Sequence, residues 1–140
     1  LMHMRGTPRT MQLDTDYADL MSEVYGYLHS RVEFAASKGI APERIIVDPG
    51  LGFGKSVEGN LEILSRLREF KSLGRPVLVG PSRKSFIGKT IDAASIEDRL
   101  AGTIAACALA AANGAAILRV HDVKEARMAA SVAEAVTRRS

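Results

Sequence analysis

Short hydrophobic runs alternate along the chain with longer stretches in which apolar residues recur at helical spacing. The runs are aliphatic and mostly β-branched, which is typical of strands buried on both faces of a parallel sheet. We predict strands over residues 1–4, 45–48, 77–80 and 116–120. The segment from residue 81 to Ala94 is predicted to be a loop.

Each predicted strand is followed by a predicted helix, over residues 15–38, 57–73, 95–113 and 122–138. Ser95 with Asp98, and Asp122 with Glu125, match the capping-box pattern at the last two helix starts. Gly74 suits the end of the second helix. Four βα units predict an α/β fold with a parallel sheet and right-handed crossovers. Because a (β/α)8 barrel needs eight strands, the alternatives are a small open sheet and half of a barrel.

Polar and glycine-rich clusters directly follow three of the predicted strands. They are Asp48 to Lys55, Gly80 to Ser85, and Arg119 to Asp122. In α/β barrels the carboxyl ends of the strands converge on one face, where the chemistry is carried out. The sequence therefore predicts a single pocket lined by Asp48, Lys84, Arg119 and His121.

The glycine-rich segment after Asp48 resembles a phosphate-binding loop, but its spacing excludes that interpretation. The Walker pattern requires a glycine where the chain has Pro49, and the dinucleotide fingerprint requires a different interval between glycines. Two interpretations of Asp48 remain. Its carboxylate either caps the loop backbone or faces the pocket, where two acceptor oxygens suit the N–H donors of an amino-pyrimidine edge.

The two basic clusters also allow two interpretations each. Ser82 to Ser85 is either a solvated face or an anion-binding turn in which Lys84 adds charge or a hydrogen bond. Arg119 and His121 lie two residues apart on a strand, so they share a face and together suit a phosphate group. His3 and His29 are predicted to be structural or surface residues. No cluster has the spacing of zinc ligands or of a Ser/His/Asp triad.

The composition narrows the class of protein. The 140 residues are 46% hydrophobic and 25% charged, with a formal net charge of +3, as in an ordinary globular domain. Scattered basic residues give little support to nucleic-acid binding. The single cysteine, Cys107, is expected to be a buried packing residue in a reducing cytoplasm. No membrane span or signal peptide is expected.

These motifs closely resemble the dihydropteroate synthase family, the folate-pathway enzymes inhibited by sulfonamides. The matching segments are LMHMRGTP at 1–8 with Thr10-Met11-Gln12, DPGLGFGK at 48–55, SRKSFIG at 82–88 and RVHDV at 119–123. The resemblance extends over essentially the whole chain but only over the C-terminal half of the family's (β/α)8 barrel. It implies that residues 1–140 form one domain, made of four βα units.

The resemblance also implies a reaction and a role for seven residues. The family condenses 6-hydroxymethyl-7,8-dihydropterin diphosphate with p-aminobenzoate, releasing diphosphate, without a protein nucleophile. Met2, Asp48 and Lys84 would bind the pterin. Phe53 and Ser85 would bind p-aminobenzoate. Arg119 and His121 would bind the diphosphate, with Mg²⁺ as cofactor but no metal ligand in this half.

The family's N-terminal half contributes further groups for the pterin, the diphosphate and p-aminobenzoate, and these are not in this sequence. We therefore expect the 140-residue chain alone to be inactive. The family's last helices commonly form a homodimer. Two alternatives are a pterin-binding methyltransferase barrel, which would release no diphosphate, and a non-catalytic half-barrel for binding or assembly.

Overall fold

The computed structural model describes residues 1–11, 13–93 and 95–139, so that Gln12 of the first motif and Ala94 at the end of the predicted loop lie outside it. The structure contains both helices and strands, but only two of the four predicted strands, those near residues 77–80 and 116–120, are present as strands. The helices are α1 Leu20–Ser37, α2 Val57–Ser65, α3 Ser85–Thr90, α4 Leu100–Ala112 and α5 Val123–Thr137, with 3-10 turns at Pro42–Arg44, Leu67–Leu73 and Glu97–Arg99. The strands are β1 Leu78–Val79 and β2 Ile117–Leu118.

The sheet is parallel. Strands β1 and β2 pair with Leu78 opposite Ile117. Residues 1–4 and 45–48 extend the same order only through single parallel bridges, Met2–Asp48 and Val47–Val77. The predicted α/β class with parallel pairing is confirmed, whereas the four complete βα units are not.

Prolines account for part of this shortening. Pro49 directly follows the Met2–Asp48 bridge, and Pro76 directly precedes Val77. A proline has no backbone N–H and cannot continue a ladder as a donor. The hydrogen bonds that remain are therefore few, such as the one from the backbone N–H of Asp48 to the carbonyl of Leu1, at 2.8 Å.

The helices pack on one face of the sheet. Val47, Val77 and Val79 are fully or nearly fully buried there, together with Leu28 and Phe70 from the helical layer. Successive residues of a strand point to opposite faces. Ile46, between the buried Ile45 and Val47, is accordingly 38% exposed. The second face of the sheet is thus open over these residues.

Local hydrogen bonds move several helix boundaries from their predicted positions. α1 begins at Leu20 rather than near residue 15, because the Asp19 side chain accepts from the backbone N–H of Ser22 at 3.0 Å and caps the helix. The predicted helix over 57–73 is α-helical only to Ser65 and continues as a 3-10 helix. It ends at the left-handed Gly74, as predicted.

The C-terminal part of the chain contains one confirmed capping box and one that is wrong. Ser95 and Asp98 exchange hydrogen bonds through both side chains, but they cap a 3-10 turn that leads into α4. Asp122 makes no side-chain capping bond to α5. Its carboxylate instead pairs with Arg83, 39 residues away in the chain.

Two further features refine the sequence prediction. The segment predicted as a loop contains α3, a six-residue helix. Cys107 on α4 is fully buried, as expected, and burial raises the pKa of its thiol to about 11. None of the helices in residues 1–11, 13–93 and 95–139 is both long and apolar enough to cross a membrane.

Candidate active site

A cavity of about 300 Å³ lies at the carboxyl ends of the parallel segments. It contains six of the seven residues that the family resemblance singles out. The lining residues are Met2, Asp48, Phe53, Gly80, Ser82, Lys84, Arg119, Val120 and His121. The strand-end clusters therefore meet in one place, which offers a carboxylate, an ammonium, an aromatic ring, a guanidinium and an imidazole to a ligand.

Ser85 is the predicted residue that the structure does not bring to this cavity. It is the first residue of α3, is exposed, and lines a neighbouring cavity of about 340 Å³. That second cavity also contains Lys55, Asn60 and Lys89 and is lined by Gly52 of the glycine-rich loop, whereas the adjacent Phe53 lines the first. Lys84 and Ser85, although adjacent in the chain, therefore line different cavities.

Both interpretations of Asp48 fit its geometry. One carboxylate oxygen accepts a hydrogen bond from the backbone N–H of Gly50 at 2.7 Å, which caps the loop. The same half-buried side chain lines the cavity. Burial raises the pKa of Asp48, while the Gly50 N–H and the nearby charges of Lys84 and Lys55 act in the opposite direction.

The glycines of the loop allow close packing rather than phosphate binding. Gly50 has φ +71°, and a Cβ there would lie 1.9 Å from the carbonyl oxygen of His3. Gly52 has φ +78°, and a Cβ there would lie 3.0 Å from Cδ of Lys84. Only a residue without a side chain lets the loop pass between these neighbours.

Lys84 joins the loop to the cavity. Its Nζ donates to the carbonyl of Leu51 and lies 4.5 Å from the centre of the Phe53 ring, a cation–π arrangement. Burial lowers the pKa of Lys84 to about 8, with Asp48 opposing the shift and Arg119 adding to it. Lys84 is thus a hydrogen-bond donor whose charge changes close to neutral pH.

Ser82 orients His121, a role that the sequence alone did not assign to it. The backbone N–H of His121 donates to Ser82 Oγ at 3.2 Å, and Oγ lies 2.8 Å from Nδ1 of the same histidine. When the hydroxyl donates to Nδ1, that nitrogen is the acceptor of the ring. In a neutral imidazole this leaves Nε2–H as the donor for a ligand. The exposed Arg119 stands beside it in the same cavity.

A buried lysine–histidine pair holds the glycine-rich loop through hydrogen bonds. The pair was not predicted from the sequence. Lys55 Nζ donates to Nδ1 of His3 at 3.0 Å and to the carbonyls of Gly50 and Phe53 at 3.0 and 3.1 Å. Burial lowers the pKa of Lys55 to about 7 and the pKa of His3 to about 4. The glycine-rich spacing drew attention to Lys55 only as part of a phosphate loop, and no sequence signal links it to His3.

Within the described part of the chain, no group of three or more His, Cys, Asp or Glu side chains is arranged to hold a metal ion. The carboxylate next to His121, that of Asp122, is occupied by Arg83 through two hydrogen bonds of 2.7 and 3.1 Å. These residues do not by themselves fit a Mg²⁺ centre, whose ligands are oxygen atoms in octahedral order.

The chain is similar to known pterin-binding enzymes along most of its length. Residues 1–121 match the family model described as pterin binding enzyme. The chain is 50% identical over 138 residues to the dihydropteroate synthase of Synechocystis, covering 99% of this chain and 48% of that protein. It therefore spans about half the length of that relative.

Solved structures give the same result. The dihydropteroate synthase of Yersinia pestis, in a complex with a sulfonamide drug, superposes with a TM-score of 0.94 at 38% identity over 99% of this chain and 50% of that one. The synthase of Thermus thermophilus, in complex with 4-aminobenzoate, superposes with a TM-score of 0.89 at 42% identity over 96% and 55%. The chain described here belongs to the family of pterin-binding enzymes.

Proposed function

We propose that this chain is the C-terminal half of a dihydropteroate synthase, which joins 6-hydroxymethyl-7,8-dihydropterin diphosphate to p-aminobenzoate in folate biosynthesis. The observation that carries the proposal is the single cavity lined by Asp48, Lys84, Arg119 and His121. It combines a carboxylate that suits a pterin with an arginine and a histidine that suit a diphosphate. A methyltransferase barrel would not need Arg119 and His121 as a diphosphate site, because methyl transfer releases no diphosphate.

The pterin is assigned to Asp48, Lys84 and Met2. The Asp48 oxygen that remains free of Gly50, together with the second lone pair of the other, accepts from the amino-pyrimidine edge. Lys84 donates to the pterin ring, and its lowered pKa reduces the cost of keeping it in a buried position. Met2 lines the slot with a polarisable apolar side chain.

The diphosphate is assigned to Arg119 and His121. The bond between the pterin methylene carbon and the diphosphate oxygen breaks, and the amine of p-aminobenzoate attacks the resulting cation and then loses a proton. Stabilising the departing anion lowers the barrier for the first step directly. Phe53 lies at the cavity edge and Ser85 in the adjoining cavity, which supports assigning p-aminobenzoate to the boundary between them.

We further propose that residues 1–140 are one domain comprising four βα units, half of a (β/α)8 barrel. The open face of the sheet, with Ile46 exposed, is where side chains of the other half would pack. Because that half would also complete the substrate sites, the 140-residue chain alone is expected to be inactive. Mg²⁺ would accompany the diphosphate, with its protein ligands outside the described residues.

The partners of the proposed enzyme are its two small-molecule substrates and a second copy of itself. An apolar stripe on α5, formed by Met128, Val132 and Val136, is 62–67% exposed and supports a homodimer. The unpaired thiol of Cys107 supports a reducing, cytoplasmic location.

The proposal is tested by calorimetry of the chain with 6-hydroxymethylpterin and with inorganic pyrophosphate. Asp48→Asn should weaken pterin binding about 10- to 100-fold, since hydrogen bonds to charged groups contribute ~1.5–3 kcal/mol, and leave pyrophosphate binding unchanged. Arg119→Ala should weaken pyrophosphate binding and leave pterin binding unchanged.

Exposed residues outside the cavity provide matched controls. Asp92→Asn and Arg44→Ala remove the same side-chain types and should bind both ligands as the wild type does. If pyrophosphate binding does not depend on Arg119, or pterin binding on Asp48, the assignment is wrong. Product formation by the chain alone would contradict the expectation that it needs its other half.

A further inference from the structure

Arg83 lies between two residues of the cavity wall, Ser82 and Lys84, and its backbone is in an unfavourable conformation. Its φ is +56°, in the left-handed region where residues with a Cβ are uncommon. Glycine would adopt this conformation without strain. A large side chain at such a position indicates that the side chain itself is needed there.

The backbone of Arg83 is held in place independently of its side chain. Its N–H donates to Oγ1 of the buried Thr103 at 2.9 Å. Its carbonyl accepts from Nη1 of Arg99 at 3.0 Å. Since neither bond involves the side chain of Arg83, the adjacent Lys84 should keep its position when only that side chain is changed.

The side chain of Arg83 connects the loop after β1 to the loop after β2. Its Nη2 and Nε donate to the two carboxylate oxygens of Asp122 at 2.7 and 3.1 Å. The pair is partly buried, with 34% and 18% of the two side chains exposed. Two parallel hydrogen bonds of this kind fix both distance and orientation. The pairing raises the pKa of Arg83 and lowers that of Asp122.

Asp122 directly follows His121, so its negative charge lies next to the proposed anion site. Without a partner, this carboxylate would repel a diphosphate and could accept the hydrogen bonds that Arg119 and His121 should give to the ligand. A second hydrogen bond, of 2.8 Å between Ser82 Oγ and His121 Nδ1, links the same two loops.

We propose that Arg83 is a positioning residue for the diphosphate end of the cavity. By pairing with Asp122 it neutralises the carboxylate beside the anion site and engages its oxygen atoms, so that they do not accept from Arg119 or His121. Arg83 itself need not touch the ligand. The inference rests on the proposed function, because it takes Arg119 and His121 to bind diphosphate.

The test is a double-mutant cycle on the 140-residue chain, measured by calorimetry with inorganic pyrophosphate and with 6-hydroxymethylpterin. Arg83→Met should weaken pyrophosphate binding about tenfold or more, because it leaves the Asp122 charge unpaired. Binding of 6-hydroxymethylpterin should change less than about twofold, since Lys84 stays in place. Arg83→Met with Asp122→Asn should recover most of the lost pyrophosphate affinity.

Asp122→Asn alone provides a second arm that does not depend on the folding of Arg83→Met. It removes the negative charge and leaves a free guanidinium, so pyrophosphate should bind at least as tightly as to the wild type. A weaker affinity in this variant would overturn the inference.

The remaining outcomes are equally decisive. If Arg83 has a purely structural role, Arg83→Met should weaken the binding of both ligands, and adding Asp122→Asn should not restore it. That result would overturn the inference while leaving the proposed function intact. A wild-type chain that binds pterin but no pyrophosphate would reject the diphosphate assignment and this inference with it.

Discussion

Two basic side chains, those of His3 and Lys55, are buried at 6% and 4% exposure behind the glycine-rich loop. Burying a cation costs free energy unless it is paired with an anion. Among the described residues, no carboxylate is in direct contact with His3 or Lys55. The lowered pKa values, about 4 for His3 and about 7 for Lys55, follow mainly from desolvation. Repulsion by Lys55 and Arg5 adds to the shift of His3, and repulsion by Lys84 adds to that of Lys55, which the charge of Asp48 opposes. The neutral imidazole then accepts the hydrogen bond from Lys55.

This pair predicts a specific dependence of stability on pH. The pKa of His3 is lower in the folded chain than its value of 6.5 in the unfolded chain, so between about pH 4 and 6.5 the unfolded state binds more protons. Stability should therefore fall as the pH drops through this window, by up to ~3 kcal/mol from His3 alone. His3→Gln, whose amide oxygen can still accept from Lys55, should remove this part of the loss.

Urea unfolding of wild type and His3→Gln at pH 7, 6, 5 and 4 measures the effect. His29→Gln, on the exposed side of α1, is the control and should follow the wild type. Parallel pH profiles for wild type and His3→Gln would show that His3 is not buried as a neutral group.

At the level of secondary structure, the loops that follow the parallel segments carry the side chains of the candidate site. Asp48 directly follows the buried Val47, and Arg119 directly follows the half-buried Leu118; in both places the chain then leaves the sheet through a loop. The turn after Asp48 passes so close to residues 1–4 that only glycine fits at position 50. The same closeness brings Met2 and Asp48 to one cavity wall.

Substituting two glycines with similar backbone angles should distinguish the effect of backbone strain on stability from the effect of a steric clash. Gly50 and Gly74 have φ values of +71° and +65°, but only Gly50 has a neighbour in the space that a Cβ would occupy. Gly74→Ala should therefore cost ~1–2 kcal/mol of unfolding free energy, the cost of the left-handed backbone alone. Gly50→Ala should cost ~4 kcal/mol or more, because the clash with the His3 carbonyl forces the loop to move.

Chemical denaturation of both variants gives the comparison directly. Equal losses of stability would mean that the loop and residues 1–4 are not in contact in solution. Gly50→Ala should also weaken 6-hydroxymethylpterin binding, whereas Gly74→Ala should not.

At the scale of the whole molecule, two of the apolar surfaces formed by the described residues are exposed to solvent. One is the open face of the sheet around Ile46, and the other is the stripe on α5. α5 packs on α4 through its other side, which includes the buried Ala126. Apolar surfaces that stay exposed in this way mark sites of association.

Val132→Glu, in the middle of the α5 stripe, should reduce self-association of the chain by at least tenfold in dissociation constant. A charge placed in a buried apolar interface loses its hydration without gaining a partner. Sedimentation velocity over a range of concentrations measures the change. Arg127→Glu, on a different side of the same helix, should associate as the wild type does, and a concentration-independent monomer in the wild type would reject the α5 dimer.

Local sequence pattern predicted the parallel α/β class and most of the site. Hydrophobic runs are short-range signals, and in a parallel sheet their carboxyl ends must meet at one edge, so Asp48, Lys84, Arg119 and His121 were expected to lie together. The helix end at Gly74, which has a local cause, was also predicted correctly, and the reciprocal bonds of Ser95 and Asp98 are present although α4 begins only at Leu100.

Only the tertiary structure decided the features that depend on distant partners. Asp122 pairs with Arg83 instead of capping its own helix, and Lys55 meets His3, 52 residues away. Ser85, the first residue of α3, lines a cavity separate from the main one, and the loop prediction had missed that helix. A charged or polar side chain takes whichever partner the fold brings within hydrogen-bonding distance, and the order of residues along the chain does not contain that information.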